Sequence, residues 1–378
     1  MNIKETLAQL VQIDSVSSRS NEEIIEYLER RCGRLGLVTR RFPYHDDLGI
    51  EKFNLIALAG TNFSPNTEVE LALVGHTDTV PYDPNWTDAT NLAERDGKLY
   101  GRGSCDTKGF IAAALTALGT IELSRSKKPL ALIFTADEEI GLRGAKQLAQ
   151  AKPLRARYSI VGEPTSLKPI RAGKGYSLAE VIVKGREAHS AYPALGASAV
   201  FRAARLINRL EAIAVQLKED QHAAFDPPFT TLNIGLIHGG SAKNVLAGEC
   251  RFTLEWRPIP TQPSDHVLNL LESAIQEETQ KDPKFQCKVD ASRADSGFET
   301  SLDSPLIKLL EKATGLDSGT VAFGTEAAQM MELGSESVVI GPGDIREAHR
   351  TGEFVPVAEL EQCAEILKHA VEELCVKD

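Results

Sequence analysis

The sequence predicts an α/β protein: a mostly parallel-sheet domain interrupted by an inserted α+β, ferredoxin-like domain. Three observations carry that prediction. Short apolar runs that end abruptly in polar loops recur along the chain, helix-like segments separate them, and one central stretch changes to alternating strands in a different order. Short apolar strands alternating with helices mark a largely parallel sheet whose ligands gather at the carboxyl ends of the strands.

The chain opens with MNIKETLAQLVQID, an amphipathic helix that carries Lys4, Glu5 and Asp14 and lacks the basic-then-apolar order of a secretory signal. The apolar stretch LALV, Leu71 to Val74, then runs straight into GHTDTVPYD, and KGFIAAALTALGTIEL from Lys108 reads as a helix. A second apolar run, LALIF from Leu130 to Phe134, runs into TADEEIGLRGA, and a third, YSIVGEPTS from Tyr158, repeats the pattern. From about Gly175 to Val289 the order becomes strand (SLAEVIVKG), helix (SAVFRAARLINRLEAIAVQL), strands (TTLNIGLIHG and AGECRFTLEWRPI), helix (SDHVLNLLESAIQEETQ) and strand (FQCKVDA), a split βαβ arrangement. The α/β pattern resumes with SVVIGPGD from Ser337. The predicted organisation is a catalytic domain in two pieces, 1–174 and 290–378, around an inserted domain at 175–289.

Length and composition fit this reading. The 378 residues suffice for two folding units, and 42% hydrophobic with 25% charged residues is ordinary for a globular protein. The net charge of −11, without a long basic run, argues against a nucleic-acid partner. No apolar run approaches a membrane span, so the expected address is the cytoplasm, with no membrane partner. The six cysteines are scattered without a CxxC pair, which fits neither a thiolate zinc site nor a disulfide framework. Cys105 raises the question of a catalytic thiol; with no histidine near it in sequence, it reads as a small packed residue.

The chemistry is concentrated at the strand ends. His76 in GHTDTV, Asp106 in GRGSCDTKG, Glu139 in TADEEIG, Glu163 in GEPTS and His349 in REAHRTGE are candidate metal ligands. Singly, each fits an ordinary polar strand end; jointly, they put a candidate ligand in a Gly- or Pro-marked loop after every clear strand. Two imidazoles and three carboxylates form a nitrogen-and-oxygen set suited to zinc, cobalt or manganese, and if one carboxylate bridges they can hold two divalent ions. Asp78, two residues after His76, can hold the imidazole in one tautomer, and Glu138, beside Glu139, can act as general base and pass the proton to a leaving nitrogen.

In order and spacing, GHTDTVP, GRGSCDTKG, TADEEIG, GEPTS, HSAYP, GGSAKNV and GPGDIREAH resemble the metallopeptidase and deacylase family that includes aminoacylase, succinyl-diaminopimelate desuccinylase and glutamate carboxypeptidase. The resemblance covers nearly the whole chain. It implies hydrolysis of a small N-acyl amino acid by two metal ions, Zn2+ or Co2+, one bound by His76, Asp106 and Glu163 and the other by Asp106, Glu139 and His349, with Asp106 as the bridge. It implies a homodimer in which the inserted domain mediates pairing and closes over the site, with His189 reaching the neighbouring subunit's active site to steady an oxyanion. Asn244, Arg257, Gly324 and Thr325 match positions that grip substrate carboxylate and carbonyl groups. Glu326, next to Thr325, is a candidate by position for meeting a substrate ammonium. Gly324, where relatives carry a Cys or a similar residue, and the HSAYP segment depart from the usual forms, both near the expected substrate position.

Two rival classes fit less well. The Gly-rich GRGSCDTKG lacks the GxGxxG order after the first strand that a dinucleotide-binding dehydrogenase requires. A non-catalytic metal-binding protein of the same fold would be expected to have lost the base or a ligand, and here Glu138, Asp78 and all five ligands are present.

Overall fold

The computed structural model describes residues 2–377. They fall into two compact units, one running to Arg171 and including Glu299–Gly319 and the chain from Thr325 on, the other comprising Ala172–Phe298 and Thr320–Gly324.

At the centre of the first unit, the strands Leu130–Thr135, Glu68–His76, Arg155–Val161 and Glu336–Val339 lie side by side in that order, all parallel. Their apolar residues are almost wholly buried, as expected of strands covered on both faces. Glu51–Ala59 adds antiparallel to Leu130–Thr135, and Val38–His45 adds antiparallel beyond it. A small separate sheet joins Phe354–Pro356 to Lys98–Tyr100 and Ala93–Arg95.

The helix Lys108–Leu118 is short-sided and apolar nearly all round, so it can be buried on every face; it packs against the helices Ile3–Gln12 and Val357–Val371 and against the strand Glu68–His76. Its Phe110 explains a glycine of the site. A Cβ on Gly162 would lie 2.2 Å from Phe110 Cγ, so only glycine lets the ring cover the end of the strand that precedes Glu163. Burying each such large side chain contributes roughly 1.5–3 kcal/mol. Helix ends follow their sequence signals: Ser304 accepts the Leu306 N–H, Pro305 opens the helix Pro305–Thr314, and Gly315 ends it at φ +70°.

The second unit is a four-stranded antiparallel sheet in the order Thr231–Gly239, Glu249–Arg257, Ser177–Lys184, Gln286–Ala294. In Ser177–Lys184 and Glu249–Arg257 every second residue is buried, and these side chains pack with the helices Ala199–Gln216 and His266–Lys281 in one core around Val181, Phe252, Leu254, Trp256, Leu206 and Leu271. Strand and helix order is the split βαβ pattern. Thr231–Gly239 is an edge strand, and its Leu236 and Ile237 are 60% and 52% exposed.

Candidate metal centre

The parallel sheet gathers the candidate ligands by register. His76 pairs with Thr135 at the ends of adjacent strands, the Thr77 N–H donates to the Thr135 carbonyl at 2.8 Å, and the Gly162 N–H donates to the Val74 carbonyl at 2.9 Å. The loops carrying His76, Glu138 to Glu139, and Glu163 therefore emerge together. Asp106 arrives from the turn before the helix Lys108–Leu118, and its peptide bond to Thr107 is cis.

Asp106 occupies the middle of the cluster. Its Oδ1 lies 3.0 Å from His76 Nε2 and its Oδ2 lies 3.0 Å from His349 Nε2, so each carboxylate oxygen faces a different imidazole. His349 Nε2 is also 3.0 Å from Glu139 Oε2. Ligand atoms of His76, Asp106 and Glu139 all lie within 4.8 Å of one another. His349 adopts φ +62°, a left-handed conformation uncommon for a residue with a side chain and found where the surroundings over-determine the backbone.

The tautomer of His76 can be read from its contacts. Its Nδ1 is 3.0 Å from the Asp78 main-chain carbonyl, which can only accept, so Nδ1 carries a proton, and Nε2 is the nitrogen that faces Asp106 Oδ1 at 3.0 Å. The Asp78 side chain is 3.7 Å from the same Nδ1 and has closer partners: it accepts the Glu138 N–H at 3.0 Å, the Glu139 N–H at 3.3 Å and the Ser17 hydroxyl at 2.6 Å. Asp78 thus ties the peptides of the expected base and its neighbouring ligand to the loop of His76.

Electrostatics identify the cluster as one that wants cations. Burial pushes Glu163 and Glu138 well above the ordinary carboxylate range, and the Asp106 carboxylate adds to both; burial likewise raises Glu139. Hydrogen bonds to Asp106 and Glu139 push His349 up to about 10, while His76 rises well above its usual value because the Asp106 and Asp78 carboxylates outweigh its burial. For Asp106, hydrogen bonds to the two imidazoles outweigh burial and hold it low. Carboxylates crowded into one partly desolvated place hold protons that a divalent cation would displace. The donor set therefore fits metal ions on its own chemistry.

Glu326 lies among these groups. It is 1% exposed, burial pushes it up to about 7, His76 and the Thr135 hydroxyl oppose that rise, and its charge in turn raises Glu138 and Glu163. Thr325 is 2% exposed, and its hydroxyl accepts the Ala327 N–H at 3.3 Å. Burial and the Glu353 carboxylate push the Cys105 thiol well up, away from the thiolate a nucleophile needs.

The remaining candidates belong to the second unit. His189 is exposed, and its Nδ1 accepts the Ala191 N–H at 3.1 Å. Asn244 is exposed and accepts the Ser190 N–H through its main chain at 3.0 Å. Arg257 is half-buried, pairs with Glu255 at 2.8 Å and lies 4.0 Å over the Tyr176 ring. Gly324 is partly buried.

Sequence reasoning missed two buried ion pairs behind the ligands. Lys52 Nζ donates to the main-chain carbonyls of Ser17 and Arg19, both at 2.6 Å, and to Asp137 Oδ1 at 3.0 Å; Tyr44 donates to Asp137 Oδ2 at 2.8 Å. Asp137, at φ +55°, immediately precedes Glu138. Arg102 and Glu353 form the second pair. A lysine inside the apolar strand sequence EKFNLIALA, and a glutamate four residues after His349, are the signals that could have found them.

Residues 72–373 match peptidase family M20/M25/M40. The chain is 52% identical over 374 residues to an acetylornithine deacetylase of Myxococcus xanthus, covering 99% of this chain and 97% of that protein. It is 36% identical over 365 residues to an acetylornithine deacetylase of Yersinia pseudotuberculosis, covering 96% and 93%. Among solved structures, a Staphylococcus aureus tripeptidase superposes with a TM-score of 0.76 at 24% identity, covering 98% of this chain and 97% of that one. A dinuclear metal-binding peptidase of Bacillus subtilis superposes with a TM-score of 0.67 at 13% identity, covering 98% of both chains. With its fold and most of its length accounted for in this way, the chain belongs to the hydrolases of peptidase family M20/M25/M40.

Proposed function

We propose that this protein removes the acetyl group from N2-acetyl-L-ornithine, giving L-ornithine and acetate in arginine biosynthesis, as a cytoplasmic homodimer. The observation that carries the substrate is the near-full-length 52% identity to a protein named for that activity. The ligand cluster with Glu138 beside it supports the chemistry.

Two divalent ions, zinc or cobalt, held by His76, Asp106 and Glu163 and by Asp106, Glu139 and His349, would supply Lewis acidity and a water acidified toward neutral pH. Glu138, with its carboxyl raised by burial and neighbouring acids, is suited to take the proton of the attacking water. The water oxygen bonds to the acetyl carbon, the C–N bond breaks, and Glu138 returns the proton to the departing amine. Asn244, Arg257, Gly324 and Thr325 are the proposed grips on substrate carboxylate and carbonyl groups. Arg257 suits the carboxylate because its planar guanidinium can pair in bidentate fashion.

Glu326 is the proposed partner of the ornithine ammonium. Glu326→Gln is expected to slow hydrolysis of acetylornithine about 10- to 100-fold more than that of an uncharged N-acetyl amino acid, the size of one charge-assisted hydrogen bond. Equal losses on both substrates would assign Glu326 to the metal cluster alone.

For the dimer, the support is the unpaired edge of Thr231–Gly239 with its exposed Leu236 and Ile237, a surface that a second copy would cover. His189, an exposed imidazole, is proposed to serve the partner subunit's active site and steady the developing oxyanion. Mixing inactive His189→Ala protein with inactive Glu138→Gln protein is then expected to restore activity by subunit exchange; absence of any recovery after confirmed exchange would place His189 in its own subunit's chemistry or outside it.

The test of the substrate is amine release from a panel of N-acyl compounds. Fastest turnover on N-acetyl-L-ornithine supports the proposal, whereas preference for acetylcitrulline, succinyl-diaminopimelate or a dipeptide would move the activity elsewhere in the family.

A further inference from the structure

The Arg102–Glu353 pair lies outside the ligand set, and its contacts converge on one ligand. Arg102 Nη1 donates to Glu353 Oε2 at 2.6 Å, with the two side chains 5% and 1% exposed. The other oxygen, Oε1, accepts the main-chain N–H groups of Cys105 at 3.0 Å and of Asp106 itself at 3.1 Å. The second arm of the Arg102 guanidinium donates to the Pro81 carbonyl at 3.3 Å, and the guanidinium stands 5.4 Å over the Trp86 ring. Glu353 is fixed in turn by its main chain: its N–H donates to the Arg350 carbonyl at 3.2 Å, and its carbonyl accepts the Gly101 N–H at 3.1 Å. The short strand that follows it pairs with Lys98–Tyr100, placing Phe354 opposite Tyr100.

One carboxylate therefore joins the loop that ends in Asp106 to the loop that carries His349, four residues before Glu353. We propose that the Arg102–Glu353 pair is the positioning device of the bridging carboxylate, holding the Asp106 peptide so that Oδ1 and Oδ2 point to two different metal positions. The proposal rests on the two-metal reading above. A bridging ligand must satisfy two coordination spheres at once, each tolerant to only a few tenths of an ångström, so it needs a fixed main chain more than a terminal ligand does.

The choice of a carboxylate follows from the donors it meets. Two peptide N–H groups and a guanidinium converge on Glu353, and only an ionised carboxylate offers enough lone pairs for all of them. Glu353 is buried next to Asp106, and Arg102, 2.6 Å away and likewise buried, is the opposite charge that it pairs with.

The test is Co2+ titration of metal-stripped protein, followed by visible absorption and paired with thermal melting. The wild type is expected to bind two ions per chain. Glu353→Gln keeps the side-chain volume but can no longer accept from all its donors; it is expected to fold, to bind one ion, and to hold the second about 10- to 100-fold more weakly, with altered cobalt bands. Wild-type affinity and bands in this variant, even with a lowered melting temperature, would overturn the proposal and leave the pair a structural link only. Should Glu353→Gln not fold, Arg102→Lys keeps the charge and removes the forked geometry; weakened binding of the second ion supports the proposal, and unchanged binding overturns it. A wild type that takes only one ion would contradict the two-metal reading itself, a result distinct from failure of the positioning role.

Discussion

Glu138→Gln is expected to keep its metal and lose turnover by roughly 10^2- to 10^4-fold, the contribution typical of a positioned general base. The reasoning is geometric. The Glu138 peptide is held by Asp78 Oδ1 and the Glu139 peptide by Asp78 Oδ2, so an isosteric change at the side chain of Glu138 leaves the neighbouring ligand where it was. What disappears is the ability to accept a proton from water and return it to nitrogen. Elemental analysis should find the same metal content as in the wild type, and kcat should carry the loss. Near-normal kcat with full metal would remove Glu138 from the chemistry.

Asp106→Ala carries the second large effect, through binding and not proton transfer. Both Asp106 oxygens face imidazole nitrogens at 3.0 Å, and His349 would keep only Glu139 among the contacts described for its Nε2. The expected result is less than one firmly bound ion per chain and no measurable hydrolysis at any substrate concentration. Retention of two ions would break the ligand assignment. The same cluster predicts acid sensitivity of metal uptake. With the His76 and His349 imidazoles raised by the surrounding carboxylates, and Glu138, Glu139 and Glu163 raised chiefly by burial, protons compete with cations for the site, so apparent affinity should fall as pH falls.

How much of this could be read from the sequence depended on how local each signal was. The strands ending at His76, Thr135 and Val161 were legible because central parallel strands are covered on both faces and appear as unbroken apolar runs. The candidate ligands after these strands stand out in the sequence because each follows such a run within a few residues. The flanking strand Val38–His45 was not, since it lies at the sheet margin, half-exposed, and contains Arg40, Arg41 and Pro43. Nor was the small sheet of Ala93–Arg95, Lys98–Tyr100 and Phe354–Pro356, whose strands are three residues each and whose pairing spans most of the chain.

Within the site, spacing brought Asp78 next to His76 but could not say which of its atoms does what. The main-chain carbonyl meets the imidazole at 3.0 Å, and the carboxylate takes the peptides of residues 138 and 139. Glu353 carried no periodicity at all. Its meaning lies in a contact to a peptide 247 positions away. Lys52 finds its three acceptors in loops distant in sequence, at Ser17, Arg19 and Asp137.

The most direct test of the central claim is to strip the protein with a chelator and follow acetate release from N2-acetyl-L-ornithine as zinc or cobalt is added back. Acetylornithine hydrolysis that is absent without metal and rises to a plateau at two ions per chain is the predicted result. Full activity in the stripped protein, or none at any metal loading while another N-acyl amino acid is hydrolysed, would contradict it.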